Sequence, residues 1–189
     1  MIIVLIGRMA AGKDTVINAI NKELKIPILV SHTTRPMRPG ETNHKEYHFV
    51  DDNYFLEEFR LSNFIEYRAY EVADGSIWYY GLHKNEASRN STSLVIMDPT
   101  GYESLLKYFG EENVIGILLE ADKETVFNRA LLRNGDTIEE IKRRIADDDR
   151  RFNNFKEKHP ECFIVNNNNN AKIDDVVKQI EDIITKTIK

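Results

Sequence analysis

Nine residues near the start of the chain, Gly7-Arg8-Met9-Ala10-Ala11-Gly12-Lys13-Asp14-Thr15, restrict its fold more than any other stretch. An apolar run, Met1 to Ile6, precedes them, and an amphipathic one carrying Val16, Ile17, Ala19, Ile20 and Leu24 follows. Strand, glycine-bounded loop, then helix is the setting in which G-x-x-x-x-G-K forms a phosphate-binding P-loop. The glycines allow successive N–H groups to converge on a phosphate chain. The helix beginning near Lys13 adds its partial positive end, and Lys13 a mobile full charge. The ATP-binding set expected here is Gly7, Arg8, Met9, Ala10, Ala11, Gly12, Lys13, Asp14 and Thr15. Where such loops carry a Ser or Thr for Mg²⁺, this chain has Asp14. A carboxylate is a good ligand for a hard cation, so Asp14 is the candidate metal residue, with Thr15 as the alternative after a small register change.

A chain of 189 residues, 41% hydrophobic, can bury one core but is too short for two full domains. Its net charge of −5 argues against nucleic acid or a membrane surface as partner. The single cysteine, Cys162, excludes an intrachain disulfide and fits a reducing compartment. The opening apolar run is too short for a signal peptide, and no stretch approaches spanning length. The expected protein is soluble and cytoplasmic, a monomer or homodimer.

Ile2 to Ile6, Leu94 to Met97, Val114 to Leu119 and Cys162 to Val165 have the uniformly apolar look of strands covered on both faces, and Ile28 to Val30 is a fifth candidate. Helical patterns at Val16 to Leu24, Tyr102 to Phe109, Glu124 to Leu132 and from Asp174 onward alternate with them. The fold class expected is therefore α/β, a P-loop NTPase-type doubly wound parallel sheet whose ligands bind at the carboxyl ends of the strands. Residues 32–81, polar, aromatic and turn-rich, read as an inserted small mostly-β lobe. The charged stretch after Arg133, with Ile138, Ile141 and Ile145 as its large apolar groups, reads as a mobile helical lid. The run Asn166 to Asn170 reads as a solvated loop. The whole is one domain: a core of 1–31, 82–128 and 152–189, an acceptor lobe at 32–81 and a lid at 129–151.

Phosphoryl transfer brings anions together, so it needs cations around the transferred group and a site that excludes water. Arg35 and Arg38 flank a proline turn that would present them as rigid forks to a phosphate. Arg129 and Arg133 lie one helical turn apart. Arg143, Arg150 and Arg151 read instead as surface ion pairs with Glu139, Glu140 or Asp147 to Asp149. Asp98, a carboxylate at a strand end, is either functional or a helix cap before Pro99.

The block Ser31-His32-Thr33-Thr34-Arg35-Pro36-Met37-Arg38-Pro39-Gly40-Glu41, followed by Tyr47-His48-Phe49-Val50 and Phe64-Ile65-Glu66-Tyr67, resembles the acceptor lobe of guanylate kinases. The similarity continues through Tyr80-Gly81, Asp98 with Gly101, and Arg129, Arg133 and Arg144, to Val165-Asn166. It implies an ATP-dependent kinase for GMP or dGMP with Mg²⁺. By position it implies that Arg35, Arg38, Tyr47 and Tyr80 hold the acceptor phosphate, that Ser31 and Glu66 face the base, and that Glu41 orients the lobe. Asp98 would hold a magnesium-bound water or the acceptor arginines. Lys13, Arg133 and Arg144 would be catalytic, and Arg129 would join the lid over ATP. Adenine lacks guanine's donor pair, so a buried Glu66 would be left unpaired against it.

The sequence also departs from the family pattern. Leu82 replaces the small hydroxyl residue after Tyr80-Gly81, Ile96 replaces an acidic residue, His44 replaces a glycine, and Val72 to Trp78 is slightly long. His83 is a candidate to donate to the base in place of that hydroxyl, while His48 reads as packing. The Gly-Lys-Asp variant of the loop is also similar to ribose 1,5-bisphosphate phosphokinases. The rival readings are therefore a kinase of this fold for another acceptor, and a non-catalytic guanylate-kinase-like interaction domain.

Overall fold

The computed structural model describes residues 1–72, 75–87, 91–132 and 137–188. Two four-stranded sheets organise them. The first has the order β6-β1-β7-β8, from Ile2–Ile6 (β1), Ser93–Met97 (β6), Val114–Glu120 (β7) and Phe163–Asn166 (β8), all parallel. Every residue of β1 is buried, as an apolar strand with helices on both faces requires. One face packs on α1 (Lys13–Leu24) and α7 (Ile173–Thr187) through Val16, Ile17, Ile20, Val176, Val177, Ile180 and Ile184. The other packs on α3 (Pro99–Phe109), where Tyr102 and Leu105 are fully buried. Among the described residues no helix is long and apolar enough to cross a membrane.

Ile28 to Val30 does not become a strand of this sheet. It contributes one parallel bridge, Ile28 to Leu94, flanked by backbone bonds Leu29 N–H to Leu94 O and Leu94 N–H to Pro27 O, each 2.8 Å. Pro27 has no N–H to extend the ladder, which limits such a segment to a short edge contact.

The second sheet has the order β3-β2-β5-β4, from His32–Thr33 (β2), His48–Phe49 (β3), Phe64–Glu71 (β4) and Ile77–His83 (β5). β2 and β4 run antiparallel to β5. Residues 32–81 also contain a helix absent from the sequence reading, α2 (Asp52–Arg60). Asp51 caps it by accepting from the Tyr54 N–H at 2.8 Å. Phe55, 1% exposed, seats it by stacking on Phe64 and Tyr79 at centroid distances of 4.4 and 5.4 Å.

After β7, α4 (Lys123–Leu132) and α5 (Ile138–Arg151) bring a charged arm back over the P-loop. Thr137 caps α5, accepting from the Glu140 N–H at 3.2 Å. The little apolar surface of this arm is what docks it: Ile141 is fully buried against Ala10, Val126 and Ala130, with Ile145 beside them. A short helix, α6 (Phe155–Lys158), then leads into β8.

Candidate active site

The P-loop leaves the carboxyl end of β1 and turns into α1 at Gly12, whose φ of 92° lies in the left-handed region. The loop is held from outside by groups remote in sequence. Asn167, 6% exposed, donates its Nδ2 to the Ala11 carbonyl at 2.8 Å, and Arg129 reaches the same oxygen at 3.5 Å. The asparagine run is thus not simply a solvated loop, since Asn168 also accepts from the Asp122 N–H at 2.8 Å. The Lys13 ammonium lies back on the loop, donating to the Gly7 and Arg8 carbonyls at 2.7 Å each. α5 grips the outer edge of the loop: Asp148 accepts from the Met9 N–H at 2.6 Å, and Asp149 pairs with Arg8 at 3.2 Å. Asp14 and Thr15 are exposed in the first turn of α1. Arg144 is half-buried on α5, and Arg133 lies outside the described residues.

The second sheet carries a buried cation just after β2. Arg35 is 4% exposed, and its two terminal nitrogens meet the two Glu41 oxygens at 2.8 Å each. The guanidinium also lies 5.3 Å from the Tyr47 and Phe49 ring centres, so the fork is fixed before any ligand arrives. Glu41 accepts from the Arg38 N–H at 2.7 Å, leaving the Arg38 side chain exposed at the turn. Tyr47 and Tyr80 meet edge to face at 5.7 Å. Burial first, then the Tyr80 hydroxyl and the Asp14 carboxylate, push the Tyr47 phenol up to about 12.

The third cluster joins the two sheets. Glu66, 7% exposed, and Arg68 alternate along the same face of β4, with Leu82, fully buried, directly across from Glu66 on β5. Arg68 donates to Glu66 at 2.9 Å with one terminal nitrogen and pairs with Asp98 through the other. Asp98 is both a cap and a site carboxylate. Its Oδ1 accepts from the Gly101 N–H at 3.0 Å, starting α3, while Oδ2 faces Arg68 and, at 3.6 Å, Arg151. Burial pushes the Glu66 carboxyl up, and the Arg68 charge opposes that shift. Ser31 is half-buried just before β2.

Arg143 and Arg150 form the expected ion pairs along α5, with Glu140 and Asp147. Arg151 does not: it reaches Asp98, and it donates to the Tyr70 hydroxyl at 2.9 Å. Both ring nitrogens of His83, the candidate donor to the base, already have partners within the protein. The residue is 6% exposed, its Nε2 lies 2.9 Å from a Glu58 oxygen, and its Nδ1 accepts from the Asn85 N–H at 3.1 Å. It belongs to a histidine cluster, with His32 centred 5.5 Å away and His48 a further 4.6 Å from His32. Sequence reasoning missed Arg68, Arg151 and Asn167. Only Arg68 carried a local signal, the two-residue spacing from Glu66 that puts both on one face of a strand.

Among the described residues there is no group of three or more His, Cys, Asp or Glu that could hold a metal ion. The hard-oxygen donors beside Lys13 are Asp14 and Thr15. One or two such ligands suit a Mg²⁺ bound mainly through substrate phosphates.

A family model described as guanylate kinase matches residues 1–187. The guanylate kinase of Wolbachia pipientis wMel is 29% identical over 191 residues, covering 98% of this chain and 90% of that protein. Guanylate kinase 2, chloroplastic/mitochondrial, of Oryza sativa subsp. japonica is 28% identical over 192 residues, and the match spans 97% of this chain but 63% of the rice protein. In fold, the crystal structure of guanylate kinase from Anaplasma phagocytophilum superposes with a TM-score of 0.69 at 22% identity, covering all of this chain and 87% of that one. Family model, relatives and shared architecture agree over nearly the full length: the chain belongs to the guanylate kinase family.

Proposed function

We propose that this chain moves the γ-phosphoryl group of ATP to the phosphate of GMP or dGMP, giving ADP and the nucleoside diphosphate. The observation that carries the reading is a buried arginine locked by a carboxylate, Arg35 on Glu41, in a chain whose P-loop bears Lys13. The acceptor phosphate is already a nucleophile, so no covalent protein intermediate is needed. One of its oxygens attacks the γ-phosphorus, the bond to the β-bridging oxygen breaks, and ADP leaves with that electron pair.

Catalysis is then positioning and charge neutralisation. Arg35 and Arg38, with the Tyr47 and Tyr80 hydroxyls, hold the acceptor phosphate, and Glu41 keeps the Arg35 fork aimed. Glu66 accepts from the guanine N1–H and 2-amino group, with Ser31 at the base. Lys13 leaves the loop carbonyls for the ATP phosphates, which the loop amides bind. Asp14 or Thr15 would hold Mg²⁺, whose charge would offset the negative charge that develops on departing ADP. Arg129, Arg133 and Arg144 belong to a lid, residues 129–151, that closes over ATP and excludes water. In this division residues 32–81 are the acceptor lobe and 1–31, 82–128 and 152–189 the core.

A coupled ADP-release screen across GMP, dGMP, AMP, UMP, CMP and ribose 1,5-bisphosphate tests the reading. GMP and dGMP should turn over best. Glu66→Gln should raise the GMP KM by about ten- to a hundredfold, as expected for a hydrogen bond to a charged group, and leave the ATP KM in place. Equal effects on both substrates, or preference for another acceptor, would refute it.

A further inference from the structure

Within the acceptor site just proposed, on which this inference rests, one side chain has no assigned part. We propose that Arg68 is a specificity-determining residue that occupies the place of the guanine edge, so that the acceptor base must displace it from Glu66.

The argument begins with shape. Arg68 presents its two terminal nitrogens to two carboxylates, Glu66 at 2.9 Å and Asp98. Guanine's N1–C2–N2 edge is itself a guanidine fragment, planar, with N–H donors on adjacent nitrogens. Arg68 therefore offers Glu66 the same donor chemistry that would select guanine. The space is made for it: a Cβ at residue 101 would collide with the same Arg68 nitrogen and approach the Met97 sulfur to 2.8 Å, so Gly101 is what lets the guanidinium lie here.

Energetics make the occupancy consequential. Glu66 is 7% exposed and Leu82 opposite it offers only its backbone N–H, so without Arg68 the buried carboxylate would be short of donors. Arg68 removes that cost in the free protein. Guanine then exchanges one set of donors for another and gains correspondingly less. Asp98 also meets Arg151, which donates to Tyr70 on the strand carrying Arg68. Released from Glu66, Arg68 keeps its anchor at Asp98 and can pivot without leaving the site. Its Nε, buried and without a hydrogen-bond partner in the present arrangement, gains the chance of one.

The test is GMP binding by calorimetry, with KM values alongside, for the wild type and Arg68→Met, which keeps an unbranched stem and removes the donors. Arg68→Met should bind GMP about ten- to a hundredfold tighter, the weight of one charge-assisted hydrogen bond, with the ATP KM unmoved. In a Glu66→Gln background the same substitution should gain less than threefold. Arg68→Lys, which keeps the charge but loses the fork, covers a folding failure of the first variant and should shift GMP affinity the same way by less. Unchanged or weaker GMP binding in whichever variant folds, or an equal gain in the Glu66→Gln background, overturns the proposal. Tighter GMP binding without GMP turnover in any variant would sink the phosphotransfer reading and leave the role of Arg68 standing. Turnover by the wild type with unimproved binding in the variants would do the reverse.

Discussion

Gly12→Ala separates two costs that usually arrive together. The first is backbone: at φ 92° an alanine pays the left-handed penalty of about 1–2 kcal/mol. The second is contact. A Cβ at Gly12 would lie 2.5 Å from Asn167 Nδ2, the atom that donates to the Ala11 carbonyl at 2.8 Å. Asn167 is 6% exposed, so pushing it aside leaves a buried amide and a loop carbonyl short of a partner. That adds about 1–3 kcal/mol, for a total of about 2–5 kcal/mol. Gly40→Ala is the matched control, because Gly40 has a φ of 87° and nothing within 4 Å of where its Cβ would go. For a chain of this size the melting temperature should fall by about 10 °C in Gly12→Ala and about 4 °C in Gly40→Ala. Scanning calorimetry reads both, and ATP titration should show weakened binding only in Gly12→Ala. A stability loss at Gly12 no larger than at Gly40 would refute the idea that Asn167 braces the P-loop.

Lys13→Ala should lower turnover by at least about a hundredfold, as loss of a preorganised cation at a developing charge does, with an unchanged circular dichroism spectrum. Residual turnover near the wild-type rate would count against it. A second expectation concerns acid stability. Burial first, and then the facing His48 and His83 rings, hold His32 down at about 4 from its ordinary 6.5, while Glu58 pulls the other way. The unfolded chain therefore takes up that proton first. Stability is complete above pH 6.5 and is lost as pH falls from there toward 4, by at most about 3 kcal/mol. Urea unfolding from pH 7.5 to 4.5 should show the decline, flattened in His32→Asn, and an identical slope in the variant would exclude His32 as its source.

Local patterning was enough for much of this protein. Four apolar runs became the parallel sheet, and β1, β6 and β7 are covered as their uniform composition demanded; β8 is not, since it lies at the sheet edge with Phe163 and Ile164 exposed and only Val165 buried. The P-loop was legible because its glycines and lysine act at fixed short spacing, and α1, α3, α4 and α7 followed from helical periodicity. The Arg35 to Glu41 block stood out through its resemblance to guanylate kinases, but that Glu41 locks the Arg35 fork in a buried ion pair came from the structure. α2 escaped because the aromatic, turn-rich segment suggested a strand-rich lobe; its Asp51 cap was recognised only in the structure. Only the tertiary structure could decide where the long cations and amides end up. Arg151, in a helix full of nearer acids, bonds to Tyr70, 81 residues away, and Asn167, one of a row of identical residues, alone among them bonds to Ala11. An arginine reaches several partners, and its choice depends on which strands and helices converge at its tip. Sequence spacing holds no record of that distance, so the site's framework was written locally and its electrostatic wiring, Arg68 above all, emerged only on folding.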